Sequence, residues 1–522
     1  MKSLSPTAVK AAIDDGRELA LIDVREELIY SQNHLLWARS APLSRIELRF
    51  ARLVPRKDTR IVLIDNNDGI VQRAIEILAR GGYSDIAYLD GGLPAWEKAG
   101  LILFSGMHVP SKAFGEFVEH DSGTPSVSAE ELNAMMKSGT DMVVLDSRPF
   151  DEYSRISIPT GINVPGAELV LRVRDMAPSP DTTIVVNCAG RTRSIIGAQS
   201  LVNAGVPNKV VALRNGTMGW HLAGLKVAKG ESGRFPAVSD IGLGWALPQA
   251  QKVADKFGVK VYGPGELARL QADQTRTTYL FDVRDPPEYE AGHLPGAISA
   301  PGGQLVQATD TFAGTLGARI VVTDDKQVRA LMSASWLRQM GWQDVFVLEA
   351  DASHFTEKGN PPGPILGTPR DQDATDIHTI AEVDNVIIVD LSPSTVYAKG
   401  HIPGAWFAIR GRLDRALPRI AMREMLVLTS EDGVLAALAV EEARALTDTP
   451  VRFLKGGNAA WAAAGILLST DAKMADEALD AWLKPYERKG DPKAAMNEYL
   501  SWEVDLLERI RADGTTHFLS AG

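Results

Sequence analysis

The sequence predicts four tandem α/β units, each a mainly parallel sheet with helices on both faces, followed by a C-terminal helical extension. Three observations predict it. An aliphatic run ending in Asp occurs four times, a second aliphatic strand follows each at a fixed distance, and an aromatic landmark follows that strand at another fixed distance.

The first run reads LALID to Asp23, MVVLD to Asp146, YLFD to Asp282 and VIIVD to Asp390. Short, continuous apolar runs of this kind are strands buried on both faces, as in a parallel sheet. The second reads RIVLID to Asp65, TIVVNC to Cys188, RIVVTD to Asp324 and MLVLTS to Ser430, lying 42, 42, 42 and 40 residues after the first. Trp96, Trp220, Phe355 and Trp461 follow 31, 32, 31 and 31 residues later. Chance does not hold three landmarks in register four times. Between the second and third landmarks each unit carries a helical pattern and a short strand. In the second unit SIIGAQSLVNAG is a helix closed by Gly205, followed by KVVALR.

These landmarks place the units at residues 1–104, 125–227, 259–365 and 373–470, with a helical extension at 471–522. Residues near 105–124 and 228–258 read as linkers, while the third and fourth units join tightly. In the extension Asp491 and Pro492 suit the first positions of a helix and Gly514 its end. Met496, Leu500, Val504, Leu507 and Ile510 are expected on one face, bracing the fourth unit or a dimer contact.

Composition narrows the function classes. Hydrophobic content of 45% and charged content of 23% describe a well-mixed globular chain. No apolar run approaches the roughly 18–20 residues that span a bilayer, and the start lacks a secretory apolar segment, so a cytoplasmic location is expected. A net charge of −11 argues against nucleic acid or an anionic membrane as partner, and makes a local arginine cluster informative. One cysteine in 522 residues excludes an intramolecular disulfide and any multi-cysteine metal site. That cysteine is an inert filler or a reactive thiol.

GHLPGAISAPG at Gly292–Gly302, GHIPGA at Gly400–Ala405, and the strand–CAGRTRS–helix segment at Cys188–Ser194 with its following Gly-rich turn and Trp resemble the signatures of the rhodanese family. The resemblance covers about residues 5–470. It implies the rhodanese fold and a sulfurtransferase that forms a persulfide on its cysteine. No metal or organic cofactor is required.

The residues of the Cys188 loop agree with this. Cys188 ends a buried strand and Ser194 begins a helix, so the loop lies at the carboxyl edge of a sheet, where open α/β sheets bind ligands. A helix N-terminus favours a thiolate and any anion beside it. Arg191 and Arg193 add two charges, and Ala189 and Gly190 let the loop curl tightly. Cys188 is therefore the expected nucleophile, with Ala189, Gly190, Arg191, Thr192, Arg193 and Ser194 lining the substrate seat. Arg148 is either a further cation for substrate or the partner of a carboxylate.

The two arginines suit the dianion thiosulfate, whereas the mercaptopyruvate-using branch of the family has a neutral loop. The acceptor of the sulfur would be cyanide, a thiol or a protein. Phosphatases and arsenate reductases of this fold class carry Cys-x5-Arg. Here the sixth residue after Cys188 is Ser194 and the last arginine is the fifth, one short of that pattern, so a Cys-dependent phosphatase or arsenate reductase stands as the alternative enzyme reading. The non-enzyme alternative is a docking or sulfur-sensing scaffold.

The other units carry Asp65, Asp324 and Ser430 where the second has Cys188. A carboxylate accepts no sulfane sulfur, and a serine hydroxyl lacks the acidity and polarizability. Arg73 and Arg329 read as ordinary helix-surface charges, and His293 and His401 as turn-stabilising hydrogen bonders. The third unit has ADASHF in place of the Gly-rich turn. The second has Ser157–Gly161 (SIPTG) in place of the HxPG turn, so that histidine is not expected to be catalytic.

Overall fold

All four Asp-ended runs form strands, Leu19–Asp23, Met142–Asp146, Thr278–Asp282 and Val386–Asp390. Each lies parallel to the second strand of its own repeat: Ile61–Ile64, Thr183–Asn187, Arg319–Asp324 and Met425–Thr429. The computed structural model describes residues 2–351, 353–382, 385–488 and 490–520; Ala352, within the ADASHF segment, lies outside the described residues. The chain divides into two compact units. One comprises Met1–Val9, Ala20–Gly106 and Gly363–Trp482, and the other Lys10–Leu19, Met107–Pro362 and Leu483–Gly522.

The first compact unit holds the first and fourth repeats. Their sheets run Lys2–Leu4, Ile86–Leu89, Ile61–Ile64, Leu19–Asp23, Arg39–Ser40, and Ala374–Thr375, Val451–Leu454, Met425–Thr429, Val386–Asp390, Trp406–Phe407, Lys473–Met474. Every one of these pairings is parallel. The strand Lys473–Met474 corrects the expectation that the chain is only helical after residue 470. It pairs beside Trp406–Phe407, so the fourth sheet extends into the tail.

The other compact unit holds the second and third repeats. The second sheet runs Ser126–Val127, Val210–Leu213, Thr183–Asn187, Met142–Asp146, Ile162–Asn163, again parallel throughout. The third repeats this order with Lys260–Tyr262, Val345–Glu349, Arg319–Asp324, Thr278–Asp282 and Ile298–Ser299. One apolar core runs through both. Leu169, Val186 and Leu201 of the second repeat belong to the same cluster as Phe281, Leu337 and Val347 of the third, and Trp336 Nε1 donates to Ser200 Oγ at 2.8 Å.

Both linkers in this unit contain helices. Val109–Ser122 buries Phe114 and Val118, and Asp240–Lys256 buries Ala246, Ala250, Val253 and Ala254. Gly115 lets the first of these approach closely, because a Cβ there would meet Thr192 Cγ2 at 2.8 Å. The C-terminal helix spans Pro492–Asp513, with the Asp491 side chain accepting from Lys493 N and Gly514 closing it at φ 76°. It packs on Val109–Ser122 and the second repeat. Its buried residues are Met496, Leu500, Glu503, Leu506 and Ile510, while Val504 is exposed. The stripe therefore runs through an acid where the apolar pattern had chosen valine.

Candidate active site

The strand Thr183–Asn187 is buried at all five positions, and its partner register sets Asp146 beside Asn187. Cys188 thus leaves the carboxyl edge at the centre of the sheet. The helix begins at Thr192, two residues before the expected Ser194, and runs to Asn203, so only Cys188–Arg191 separates strand from helix.

The Gly-rich turn after Val210–Leu213 braces this loop. Thr217 N donates to Cys188 O at 2.8 Å and Met218 N to Ala189 O at 2.9 Å. Gly216 lies at φ 52°, and a Cβ there would stand 2.4 Å from Cys188 O, so no other residue fits. Asn187 Nδ2 joins Asp146 Oδ2 at 2.8 Å to Thr217 Oγ1 at 3.1 Å, tying strand ends and turn together.

Cys188 is 2% exposed. Its thiol donates to Ser194 Oγ at 3.5 Å, and that hydroxyl donates to Arg191 O at 2.8 Å. Burial pushes the thiol above its ordinary range, against the opposing pull of Arg193 and Ser194. The loop arginines alone had suggested the reverse. The physical reason is cover: Met496 and Leu500 of the C-terminal helix pack with Ala189 and Met218 over the loop.

The two loop arginines are both engaged by carboxylates. Arg191 forms a fork with Glu116 at 2.7 and 2.6 Å and also pairs with Glu119, both on the helix Val109–Ser122. Arg193 is partly buried and bonds Glu152 at 3.2 and 2.9 Å and Gln304 Oε1 at 3.0 Å. Although burial opposes it, Arg193 and Lys484 hold the Glu152 carboxyl well below the usual range. Of the two, Arg193 is the charge that acts on the Cys188 sulfur.

Arg148 forms a bidentate pair with Asp146, Nε to Oδ1 at 2.8 Å and Nη2 to Oδ2 at 2.7 Å. Arg25 with Asp23 and Arg284 with Asp282 repeat this geometry in the first and third repeats, where no cysteine follows. A pair present with and without the nucleophile supports a framework role. Arg148 Nη1 is buried and without a partner among the described residues, whereas Arg25 Nη1 donates to Asn33 and Asn66.

Three groups beside the loop escaped the sequence reading, Lys112, Tyr499 and Glu503. Lys112 Nζ donates to Tyr499 Oη and stands 4.0 Å from Glu503 Oε1. Burial lowers this lysine to about 8, partly offset by Glu503. A signal existed for Glu503, since it falls three residues after Leu500 and seven before Ile510, inside the stripe.

In the other repeats the residue in the cysteine's place caps its own helix. Asp65 accepts from Asn67 N at 2.8 Å and Val71 N at 3.4 Å, and Ser430 Oγ from Ala436 N at 3.3 Å. Asp324 accepts from Arg329 N at 3.3 Å and Nε at 3.2 Å. Arg329 is not the expected surface charge. It is fully buried, pairing with Glu168 and Glu288 at 2.6 Å and Asp325 at 2.5 Å, because the third repeat's loop faces the second repeat here. Arg73 is half-exposed, its Nη1 donating to Gly411 O at 2.7 Å and its Nη2 standing 3.8 Å from Glu442 of the fourth repeat. His293 and His401 bond the carbonyls of Tyr289 and Tyr397 at 2.9 and 2.8 Å, as turn stabilisers would.

Among the described residues no cluster of three metal-ligating side chains occurs, and no helix is long and apolar enough to cross a membrane.

The family model of the rhodanese-like domain matches residues 5–99, 128–223, 263–358 and 373–464. The crystal structure of thiosulfate sulfurtransferase from Pseudomonas aeruginosa superposes with a TM-score of 0.97 at 48% identity over 99% of each chain. A thiosulfate sulfurtransferase of the same organism is 26% identical over 216 residues, 34% of this chain and 79% of that one. The probable adenylyltransferase/sulfurtransferase MoeZ of Mycobacterium tuberculosis is 30% identical over 96 residues, so this chain spans about a quarter (24%) of that relative.

Proposed function

The chain belongs to the rhodanese-like domain family, and we propose that it is a thiosulfate sulfurtransferase that works through a persulfide on Cys188. The observation that carries the reading is the lone cysteine at the carboxyl edge of its sheet and the head of a helix, where the sister repeats hold Asp65, Asp324 and Ser430. The whole-chain similarity to a thiosulfate sulfurtransferase supports the choice of donor.

The Cys188 thiolate attacks the outer sulfur of thiosulfate. The S–S bond of the donor breaks, sulfite leaves with the bonding pair, and the sulfur remains as the Cys188 persulfide. An acceptor nucleophile (cyanide, a thiol or a protein) then attacks the terminal sulfur and releases Cys188. The loop N–H groups at the head of the helix Thr192–Asn203 favour both anionic forms. Arg193, held by Glu152 and Gln304, supplies the fixed positive charge beside the sulfur.

Incubation with thiosulfate should raise the intact mass by one sulfur, about 32 Da, with release of one sulfite per chain, because the nucleophile keeps the transferred atom. A protein whose mass does not change would overturn the reading. Arg193→Ala should lower kcat/KM by roughly 1.5–3 kcal/mol, the range for a hydrogen bond to a charged group. Alkylation of Cys188 should also shift to higher pH, since Arg193 favours the thiolate. An unchanged alkylation profile with full activity would leave Arg193 a framework residue only.

A further inference from the structure

We infer that Glu503, carried on the C-terminal helix, is the base that takes the Cys188 proton as thiosulfate is attacked. The inference rests on the persulfide reading and adds to it a residue from outside the catalytic repeat.

The geometry is asymmetric. Met496 and Leu500 seat the helix on Ala189 and Met218, which brings Glu503 against the loop. Glu503 is 2% exposed. Its Oε1 accepts from Tyr499 Oη at 3.0 Å and Thr192 Oγ1 at 3.5 Å, with Lys112 Nζ at 4.0 Å. Its Oε2 is buried without a partner among the described residues, and lies 3.2 Å from where a Cβ on Gly190 would stand. One oxygen is anchored while the other is turned onto the turn that begins at Cys188.

A brace would not be built this way. Methionine or leucine would fill the same stripe, between Leu500 and Leu506, without burying a charge. A buried carboxylate oxygen lacking a donor is costly unless it meets one during function. In this structure the Cys188 thiol donates to Ser194 Oγ, and it lies two residues before Gly190 in the same turn, so a rotation of the thiol toward Glu503 Oε2 would supply that donor; the charge of Glu503 is felt at the sulfur.

The charged and titratable groups facing Glu503 are Lys112 and Glu116 from Val109–Ser122, Cys188 and Arg191 from the loop, Arg193 from the helix that follows it, and Tyr499 from its own helix. Burial raises both the Cys188 thiol and the Glu503 carboxyl, so the proton moves between two groups displaced in the same direction. Transfer of the proton from Sγ to the carboxylate makes the nucleophile and moves the negative charge from the carboxylate onto the sulfur. The thiolate then displaces sulfite from the outer sulfur, and the proton on Glu503 passes to the departing sulfite. Thiol plus thiosulfate thus gives persulfide anion plus bisulfite, with the carboxylate regenerated.

The test is single-turnover sulfite release from thiosulfate, followed across pH, in wild type, Glu503→Gln and Glu503→Asp, with thermal unfolding as the control for the fold. Glu503→Gln should slow the release by on the order of 10²-fold, as for loss of a general base. Its rate should then climb with pH until Cys188 ionises by itself, while Glu503→Asp recovers much of the rate. If Glu503 were only a neighbouring charge, its removal would ease ionisation of the thiol, and the Gln protein would release sulfite as fast as wild type or faster. That result overturns the inference. Should the Gln protein fail to fold, the Asp protein decides, since an acid limb unmoved from wild type would equally overturn it. Absence of sulfite from wild type itself would instead overturn the persulfide reading.

Discussion

Cys188→Ser should make no thiocyanate from thiosulfate and cyanide, a fall of about 10³-fold or more, as expected when a covalent nucleophile is replaced by one that cannot ionise. A serine hydroxyl is far less acidic than a thiol and its oxygen is less polarizable, so neither attack nor sulfur retention remains. The chain holds an internal comparison. Ser430 occupies the same place in the fourth repeat, where its Oγ accepts from Ala436 N at 3.3 Å and acts as a cap. Serine at position 188 would meet the hydroxyl of Ser194 and the head of the following helix in the same way. The fold should therefore survive, with a cost of about 1–2 kcal/mol for a polar group placed in a buried site. Thermal unfolding should stay close to wild type while the intact mass no longer rises with thiosulfate. Thiocyanate production by a folded Cys188→Ser protein would remove the basis for a cysteine mechanism.

The legible part of the fold was local and repetitive. Four Asp-ended strands, their partners and the Gly-rich turn follow from short apolar runs whose spacing a parallel sheet imposes. The Asp146–Arg148 pair could be read the same way, since Asp23–Arg25 and Asp282–Arg284 repeat it without a cysteine. What could not be read were contacts between distant segments. Arg191 turns to Glu116 and Glu119, in a stretch whose sequence carried only linker punctuation. Arg329 meets Glu168 of the preceding repeat, so a position that is surface in a lone domain is interior here. The thiol's upward shift has the same origin, because the cover over Cys188 comes from a helix about 300 residues further on in the chain. For Glu503 the difficulty was different. The helical period was right, but an apolar criterion chose Val504 and passed over the buried acid one residue earlier.

Returning a cysteine to the other repeats should not revive them. Asp65→Cys, Asp324→Cys and Ser430→Cys, each on a Cys188→Ser background, should show less than about 1% of wild-type thiosulfate turnover, because their loops raise a thiol pKa and repel the donor. The sequence motivates this: the loops read DNNDGIVQ, DDKQVRAL and SEDGVLAA, without two closely spaced arginines and with Asp68, Asp325 and Asp432 added. The structure supplies a stronger reason. In the third repeat Arg329 is already bound by Glu168, Glu288 and Asp325 besides Asp324. Removing Asp324 leaves three carboxylates around it, so no net positive charge is released for a sulfonate. In the first repeat Arg25 is spent on Asp23 and on Asn33 and Asn66, and in the fourth Ser392 stands where the arginine would be. Comparing the three proteins with wild type by cyanolysis, with mass measured after thiosulfate, decides the matter. Any one that accumulates a persulfide at a rate near wild type would make its loop an intact anion seat, and the assignment of catalysis to the second repeat alone would have to be given up.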